Sequence, residues 1–404
     1  MSTIHLAMAL VGLAALAVAA AYGILALLGV VVWQRRRAPT SLAGLPPVTV
    51  LKPLCGSEPR LYENLRSFCE QSYPEFQLVF GVHDPADPAL GVVRRLQAEF
   101  PSLAIDVVVN TEQHGANRKV GNLLNMLEQA RHDILVMADS DTFVAPDYLA
   151  AVTAPLLDPE VGLVTCVFWD APTGKIWSRL GAMYINEWYM PAVLLAWVFG
   201  HRAYASGQTL CLRRATLRAI GGLGAIANHL AEDNRLGELV RGHGQRIVLS
   251  HYLLRTTRDE SSWASLAAHE LRWMRTLQVL RPRSFRLLFL SFSLPLALLG
   301  AAFAVTLSTV APAAWTLLLT VVVTRLALYL VHRRGDERGL LADLWLVPAR
   351  DLLIVWVWCR SFFASRLTWR DSEFEVGADG IMRSMSRIPG VQKPLASEQI
   401  HQRV

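Results

Sequence analysis

Cysteine is scarce in this chain, and charge is scarcer than in an ordinary soluble protein. Five cysteines (Cys55, Cys69, Cys166, Cys211, Cys359) are scattered over 404 residues. They have no zinc-ligand spacing, and their odd number gives no disulfide framework. That pattern fits a reducing cytoplasmic face. Charged residues make up 18%, against about 25% in a typical soluble domain. There is no internal repeat and no low-complexity linker. The basic residues form no aromatic-interleaved module, which argues against nucleic-acid binding. What charge there is nets to +6, with a pI near 9.2. That balance suits an anionic membrane surface or an anionic substrate.

Apolar residues fill the space that charge leaves, at 53% of the chain, with a mean hydropathy of +0.32. They concentrate at the two ends. Ile4 to Trp33 is almost uncharged and long enough to cross a bilayer. It lacks the basic leader of a cleaved signal peptide, so it reads as a retained anchor over residues 1–37. Gln34-Arg35-Arg36-Arg37 follows it. Positive flanks stay in the cytoplasm, which puts the N-terminus outside. Leu287–Leu307 and Ala313–Val331 read as two more spans within residues 286–332, joined by an external turn at Ala311-Pro312. His332-Arg333-Arg334 marks the return to the cytoplasm. Residues 333–404 are expected to hold re-entrant or interfacial short helices at Leu340–Phe363, then a cytoplasmic tail. That block carries Asp343, Pro348, Arg350 and Asp351, which a true span would place at high cost. The tail is basic, with Arg366, Arg370, Arg383, Arg387 and Lys393.

The middle, residues 38–285, reads as one α/β domain. Val48–Leu51, Gln77–Val82, Ile105–Val109 and Ile134–Ala138 are short apolar runs. Helical patterns alternate with them. Ser57 is placed to cap a helix with Leu61, Leu65 and Phe68 on one face. Asp87-Pro88 opens another helix, and Gly121–Ala130 is a third. This alternation predicts a mainly parallel sheet with helices on both faces. Residues 176–199 are rich in Trp, Tyr and Met but hold Arg179, Glu187 and Pro191. They read as an amphipathic helix at the headgroup level. A buried core helix is the alternative.

The chemistry gathers at ILVMADSD, residues 134–141. A strand that continued through this run would put Asp139 and Asp141 on one face at its carboxyl end, where open α/β sheets bind ligands. Two convergent carboxylates suit a divalent cation that in turn holds a diphosphate. An acidic turn is the plain alternative.

Other motifs stand in a fixed order with it. Lys52-Pro53-Leu54 comes first, then Val82-His83-Asp84, then Asn117-Arg118-Lys119-Val120-Gly121-Asn122. Ala231-Glu232-Asp233 and His269-Glu270-Leu271-Arg272-Trp273 follow. The ordered set resembles a family 2 glycosyltransferase of GT-A fold, on its ceramide glucosyltransferase branch. Within that branch, HGANRKVGNLLNM and HELRWMRT are most similar to the bacterial hopanoid-biosynthesis glycosyltransferases. The likeness covers roughly residues 45–375.

The resemblance implies a site. Lys52, Pro53, Asp84, Asn117, Arg118, Lys119, Asn122 and Asp139 would hold the UDP-sugar. Asp139 and Asp141 would hold Mg2+ or Mn2+. Asp233 matches the catalytic base, with Glu232 the alternative. His269, Arg272 and Trp273 match the family's (Q/R)xxRW motif, with His replacing the usual first residue. Trp177, Trp188 and Trp197 are the side chains expected at the headgroup plane, near a lipid acceptor. Trp369-Arg370 resembles a segment that ends many family members.

The activity so implied is inverting transfer of one sugar to a membrane lipid hydroxyl. N-acetylglucosamine passing from UDP-GlcNAc to bacteriohopanetetrol is its specific form, in a bacterial inner membrane. Ceramide glucosylation from UDP-glucose is the rival. A processive polysaccharide synthase would need more spans, and a transporter would place polar residues inside the spans. The oligomeric state is not legible.

The arginine flanks yield a topology that can be checked. Reporter fusions after residues 40, 335 and 380 should all report cytoplasm. An external signal at 380 would make Leu340–Phe363 a true span.

Overall fold

The structure is a computed structural model, and it describes residues 3–36, 44–332, 339, 341–363, 367–369, 372–377 and 379–384. Arg37, Arg333, Arg334, Arg366, Arg370, Arg387 and Lys393 lie outside the described residues. The chain divides into two compact units. One is drawn from Arg37–Ala171, Arg202–Thr257 and Ser365–Val404, the other from Met1–Arg36, Pro172–His201 and Arg258–Ala364. The α/β unit thus gives up residues 172–201 and ends its main body at Thr257 rather than at 285.

The α/β unit is built on eight strands. These are β1 (Val48–Pro53), β2 (Phe76–Val82), β3 (Ala104–Val109), β4 (Ile134–Met137), β5 (Thr142–Phe143), β6 (Val161–Pro172), β7 (Leu210–Arg213) and β8 (Arg246–Arg258). Their order is β3-β2-β1-β4-β7-β6-β8-β5. The first four are parallel, with Leu51 opposite both Val79 and Met137. The sheet then continues antiparallel, β4 to β7 and β7 to β6. β4 reads as an unbroken apolar run, and β1 is buried along its length although it carries Thr49 and Lys52, because both faces are covered. Leu51, Leu123, Met126, Leu135, Met137, Leu212 and Leu236 share one core cluster.

The helix starts differ from expectation in two places. The first helix runs Leu61–Cys69 and is preceded by Arg60 in the left-handed region, φ 59°. Ser57 therefore stands too far upstream to cap it. The helix after β3 spans Arg118–Leu127 and begins three residues before Gly121. The Val120 backbone N–H donates to the Asn117 side chain at 3.2 Å, so Asn117 is its cap. Asp87 accepts from the Ala89 N–H at 2.9 Å, one residue ahead of Pro88, which is the N-cap of the helix Ala89–Glu99.

Three further strands complete this unit: β9 (Leu367–Trp369), β10 (Ser372–Val376) and β11 (Met382–Ser384). They pair antiparallel, with β10 in the middle. The Met382 N–H donates to the Asn228 carbonyl at 2.8 Å, and the Leu230 N–H to the Gly380 carbonyl at 3.0 Å. Met382 and Leu230 also bury against each other. The sequence offered this segment as a basic tail with the Trp369-Arg370 resemblance, and gave no sign of strands.

The second unit is helical. Thr3–Gln34 and Ala311–Val331 are long and apolar enough to cross a membrane. The expected span at 287–307 is not one long helix. It is a short 3-10 turn, Leu288–Ser291, and a helix at Ser293–Ala304. Twelve residues reach about 18 Å, well short of the roughly 30 Å of a hydrocarbon core. Pro295 explains the break, since it lacks the N–H a helix running through from Ser291 would use. Residues 176–199 form Ile176–Tyr184, one π turn at Ile185–Tyr189, and Met190–Val198.

The charges that interrupt these apolar runs pair with one another. Arg179 meets Asp343. Arg350 holds Glu270 through two bonds of 2.5 and 2.9 Å. Arg325 lies 2.8 Å from Glu187 and 3.0 Å from Asp351. Within the block read as Leu340–Phe363, residues 341–363 hold a short 3-10 turn and the 15-residue helix Val347–Ser361, with Arg350 buried inside the unit.

Helices Thr3–Gln34 and Ser293–Ala304 meet through glycine. A Cβ on Gly12 would lie 2.4 Å from the Gly300 carbonyl oxygen, and one on Gly300 would lie 2.7 Å from that of Gly12. Small residues allow this backbone approach. Gly12→Leu should destabilise the unit by about 1–3 kcal/mol through overpacking. Thermal unfolding of the purified chain in detergent measures it, with Ala21→Leu, at an exposed position of the same helix, as the matched control.

Candidate active site at the carboxyl ends of the parallel strands

Strands β1, β2 and β4 deliver their last residues to one edge of the sheet. β4 stops at Met137, so Asp139 and Asp141 belong to a turn and not to alternate strand positions. The face argument from an extended chain therefore does not apply. What aims Asp139 is a lysine. Lys119 Nζ lies 2.6 Å from Asp139 Oδ1 and 3.0 Å from Glu232 Oε1. Lys119 stands in the first turn of Arg118–Leu127, and Glu232 opens the helix Glu232–Gly242. Burial works against the charge on Lys119, and Asp139 and Glu232 together outweigh it, so its pKa is raised.

Asp233 sits beside this cluster. Its carboxylate accepts from the Gly207 N–H at 2.9 Å and from the Asn234 N–H at 2.7 Å. Burial, and then the neighbouring charge of Glu232, push its pKa up to about 7, against the pull of Lys119 and the two N–H donors. A carboxyl balanced near neutrality suits a general base. Gly207 escaped the sequence reading. A Cβ there would stand 2.7 Å from Lys119 Nζ and 3.6 Å from Asp139 Oδ2, so the close approach calls for glycine. Ser206-Gly207-Gln208 carries no signal that marks it in advance.

Several residues expected to face the donor have other engagements. Lys52 is fully buried. Its ammonium donates to the Asp139 backbone carbonyl at 2.8 Å and stands 3.5 Å above the Phe68 ring. Burial draws its pKa down to about 7, against the attraction of Asp141, Asp139 and Glu58. Lys52 braces the acidic turn from beneath, and Pro53 closes the same strand. Asn122 is also buried, donating to the Gly81 carbonyl at 2.8 Å. Asn117, besides its capping role, donates to the His229 carbonyl at 3.0 Å and to Glu232 Oε2 at 3.2 Å. Asp84 and Arg118 are exposed. Asp84 accepts from the Ala86 N–H at 2.8 Å in a tight turn after β2.

Among the described residues no three His, Cys, Asp or Glu side chains converge as a ready-made cation cage. A cation bound together with a diphosphate needs only one or two carboxylates, the other places going to phosphate oxygens and water. The Lys119 ammonium, seated between Asp139 and Glu232, shows that a positive charge is accommodated there. Asp139 and Asp141 supply hard oxygen donors of the right kind, so the residues fit such a group.

The HxxRW residues belong to the helical unit, on helix Trp263–Leu280. His269 Nδ1 lies 2.9 Å from Glu260 Oε1, and its ring centroid is 4.4 Å from that of Trp273. Trp273 in turn stacks on Tyr184 at 5.5 Å and 25°. The Arg258 guanidinium stands 4.8 Å over the Trp273 ring. Burial draws the His269 pKa down to about 4, although the Glu260 hydrogen bond opposes it, so the ring is neutral at pH 7. His269 and Trp273 thus meet on one face of this helix. The three tryptophans offered for the acceptor lie against different neighbours in this unit. Trp177 meets Trp263, Trp188 meets Tyr184 and Phe292, and Trp197 lies under Arg36.

Comparison with known proteins places this arrangement. Glycosyl transferase family 21 matches residues 11–382. Ceramide glucosyltransferase 1 of Caenorhabditis elegans is 26% identical over 207 residues, 51% of this chain and 44% of that protein. Ceramide glucosyltransferase 3 of the same organism is 23% identical over 234 residues, 58% of this chain and 51% of that protein. The chain spans about half the length of these relatives. Among solved structures, a mannosyltransferase from Pyrobaculum calidifontis in complex with GDP-Man and Mn2+ is similar with a TM-score of 0.48. It is 22% identical and covers 85% of this chain and 99% of its own. The sequence reading gives the ceramide glucosyltransferase branch of family 2, and the family that matches is numbered 21. With 11–382 matched and the DxD, ED and RW residues in order, the chain belongs to glycosyltransferase family 21, the ceramide glucosyltransferase-like family.

Proposed function

We propose that this chain transfers one sugar from a UDP-sugar to a hydroxyl of a membrane lipid, with inversion at the anomeric carbon. The observation that carries the reading is Asp233, a carboxylate poised near pH 7 beside the Lys119–Asp139–Glu232 cluster. The acceptor oxygen forms its bond to the anomeric carbon as the bond to the diphosphate breaks. Asp233 takes the proton, and UDP leaves. A single displacement needs one base and no enzymic nucleophile. Asp139 and Asp141 would hold Mg2+ or Mn2+, whose positive charge, when bound, makes the diphosphate a better leaving group. Lys119 and Arg118 offer cationic contacts to the diphosphate, and Asp84 a carboxylate to the uridine. Arg272 and Trp273 are assigned to the acceptor side.

The finer form of the proposal is N-acetylglucosamine from UDP-GlcNAc to bacteriohopanetetrol on the cytoplasmic face of a bacterial membrane. Its support is the likeness of the runs 114–126 and 269–276 to the hopanoid subfamily. A second reading, ceramide glucosylation from UDP-glucose, is favoured by the names of the relatives. Incubating the chain with each donor and each lipid, with mass detection of the glycolipid, decides between them. No product from any pairing would sink the proposal.

Three outcomes follow for the chemistry. EDTA should abolish transfer, and Mn2+ or Mg2+ should restore it. Asp233→Asn should cut turnover by roughly 10²–10⁴ while UDP-sugar binding persists. Normal turnover in Asp233→Asn with a dead Glu232→Gln would reassign the base. Because the base must be ionised and its pKa is raised, kcat/KM should climb with pH to about 7 and level off above it. A profile flat from pH 5 to 8 would contradict this role.

A further inference from the structure

The helix that carries Asp233 starts without a side-chain cap. Glu232–Gly242 is preceded by Ala231, which has no polar group to take up the first N–H donors. Asp233 lies in that first turn, and its carboxylate holds the Gly207 N–H at 2.9 Å. A helix start of this kind takes its position from the segment leading into it.

That segment, 227–230, is bonded from two sides. On one side stand residues 115–117. The Asn117 N–H donates to the Ala227 carbonyl at 2.8 Å, and the Ala116 N–H to Asn228 Oδ1 at 2.9 Å. A Cβ on Gly115 would lie 2.5 Å from the Ala227 carbonyl oxygen, so the two segments approach closely. On the other side stands the turn from β10 into β11. The Met382 N–H donates to the Asn228 carbonyl at 2.8 Å, and the Leu230 N–H to the Gly380 carbonyl at 3.0 Å. Between these bonds Ile381 and His229 stand opposite each other as an antiparallel bridge.

The turn is built to make this contact. Gly380 sits at φ 77°, in the left-handed region that glycine adopts without strain. Its N–H donates to the Gly377 carbonyl at 2.9 Å and closes the turn. Met382 already stands opposite Val376 of β10, so its bond to Asn228 adds a neighbour to β11. The Met382 and Leu230 side chains bury together, with Ala116 and Val376 packed against them. Ala116 stands three residues ahead of Lys119, and Leu230 three ahead of Asp233. One buried contact thus joins the entries to both helices that supply the candidate site.

We propose that Gly380 and Met382 are positioning residues for the base: their turn acts as a rail that sets the start of Glu232–Gly242, and with it the place of Asp233 against Gly207. The inference rests on the reading of Asp233 as the base. It adds residues 377–384, which carry none of the motifs of the family resemblance.

The test reads the placement of Asp233 with neither donor nor lipid present. Met382→Pro deletes the N–H that reaches Asn228. Met382→Leu keeps both that N–H and the apolar contact. Hydrogen exchange on the full chain in detergent follows the amides of Gly207 and Asn234, which both donate to Asp233. In Met382→Pro both should exchange at least about tenfold faster, the worth of a hydrogen bond to a charged group. Met382→Leu should keep the wild-type rates, and peptides from β1, β2 and β4 should not change in either variant. A strand with no hold on the base would loosen at 379–384 in Met382→Pro and leave Gly207 and Asn234 unchanged, which overturns the inference. If Met382→Pro does not fold, the wild type decides. Residues 379–384 should then be as protected as 228–235, and rapid exchange of the strand beside a protected loop overturns the inference. With a donor and lipid that give product, Met382→Pro should lose about a hundredfold in kcat while the donor KM stays within about twofold. A raised donor KM with kcat unchanged would place the effect on the donor side and overturn the inference. Absence of transfer in every form sinks the activity reading and leaves the exchange result to stand alone.

Discussion

The candidate site depends on one ammonium group. Asp139, Asp141, Glu232 and Asp233 bring four carboxylates to one end of the sheet, which would repel one another if nothing stood among them. Lys119 lies between Asp139 and Glu232 and lowers that repulsion. Its place depends on the helix that Asn117 caps, and Asn117 also reaches Glu232. Lys52 adds support from below through the Asp139 carbonyl. Removing Lys119 would thus disturb the pKa of Asp233 and the aim of Asp139 together. The remaining acidic excess would suit a cation held together with a diphosphate.

Much of the parallel half of the sheet was legible in the sequence, because strands covered on both faces write themselves as unbroken apolar runs. Val48–Leu51 and Gln77–Val82 came within two residues of the observed strands. The antiparallel half was not legible. β7 is four residues long and β5 only two, too short for any period to declare itself, whereas β6 and β8, with twelve and thirteen residues, were long enough and were passed over. The site was legible as a set of residue types in order, and less so as geometry. Lys52 and Asn122 are polar residues in a motif, yet both are buried as structural braces. Gly207 contributes a backbone N–H, and a backbone donor has no signature in side-chain chemistry.

The helical unit shows a different limit of sequence reading. Arg179, Glu187, Asp343, Arg350 and Asp351 looked like interruptions in apolar runs. In the structure each has an oppositely charged partner far along the chain, at separations that no local pattern reveals. Truncating one member of such a buried pair leaves a charge uncompensated, which is costlier than never having had the pair. The same charges that argued against a simple span therefore fix which helix neighbours which. Pro295 was a local signal, yet the reading of Leu287–Leu307 as one span passed over it.

The strands at 367–384 give the chain a temporal order. Met382 and Gly380 bond to Asn228 and Leu230, two to five residues ahead of Glu232 and Asp233. About a hundred and fifty residues of polypeptide must leave the ribosome between the loop and the strand that secures it. At the roughly 5–20 residues per second of synthesis, that is a wait of on the order of ten seconds. During that interval the long apolar helix at 311–332 emerges, while the segment leading to Asp233 still lacks two of its backbone bonds. A nascent chain would in this way expose its second long apolar helix before its candidate site is fully assembled.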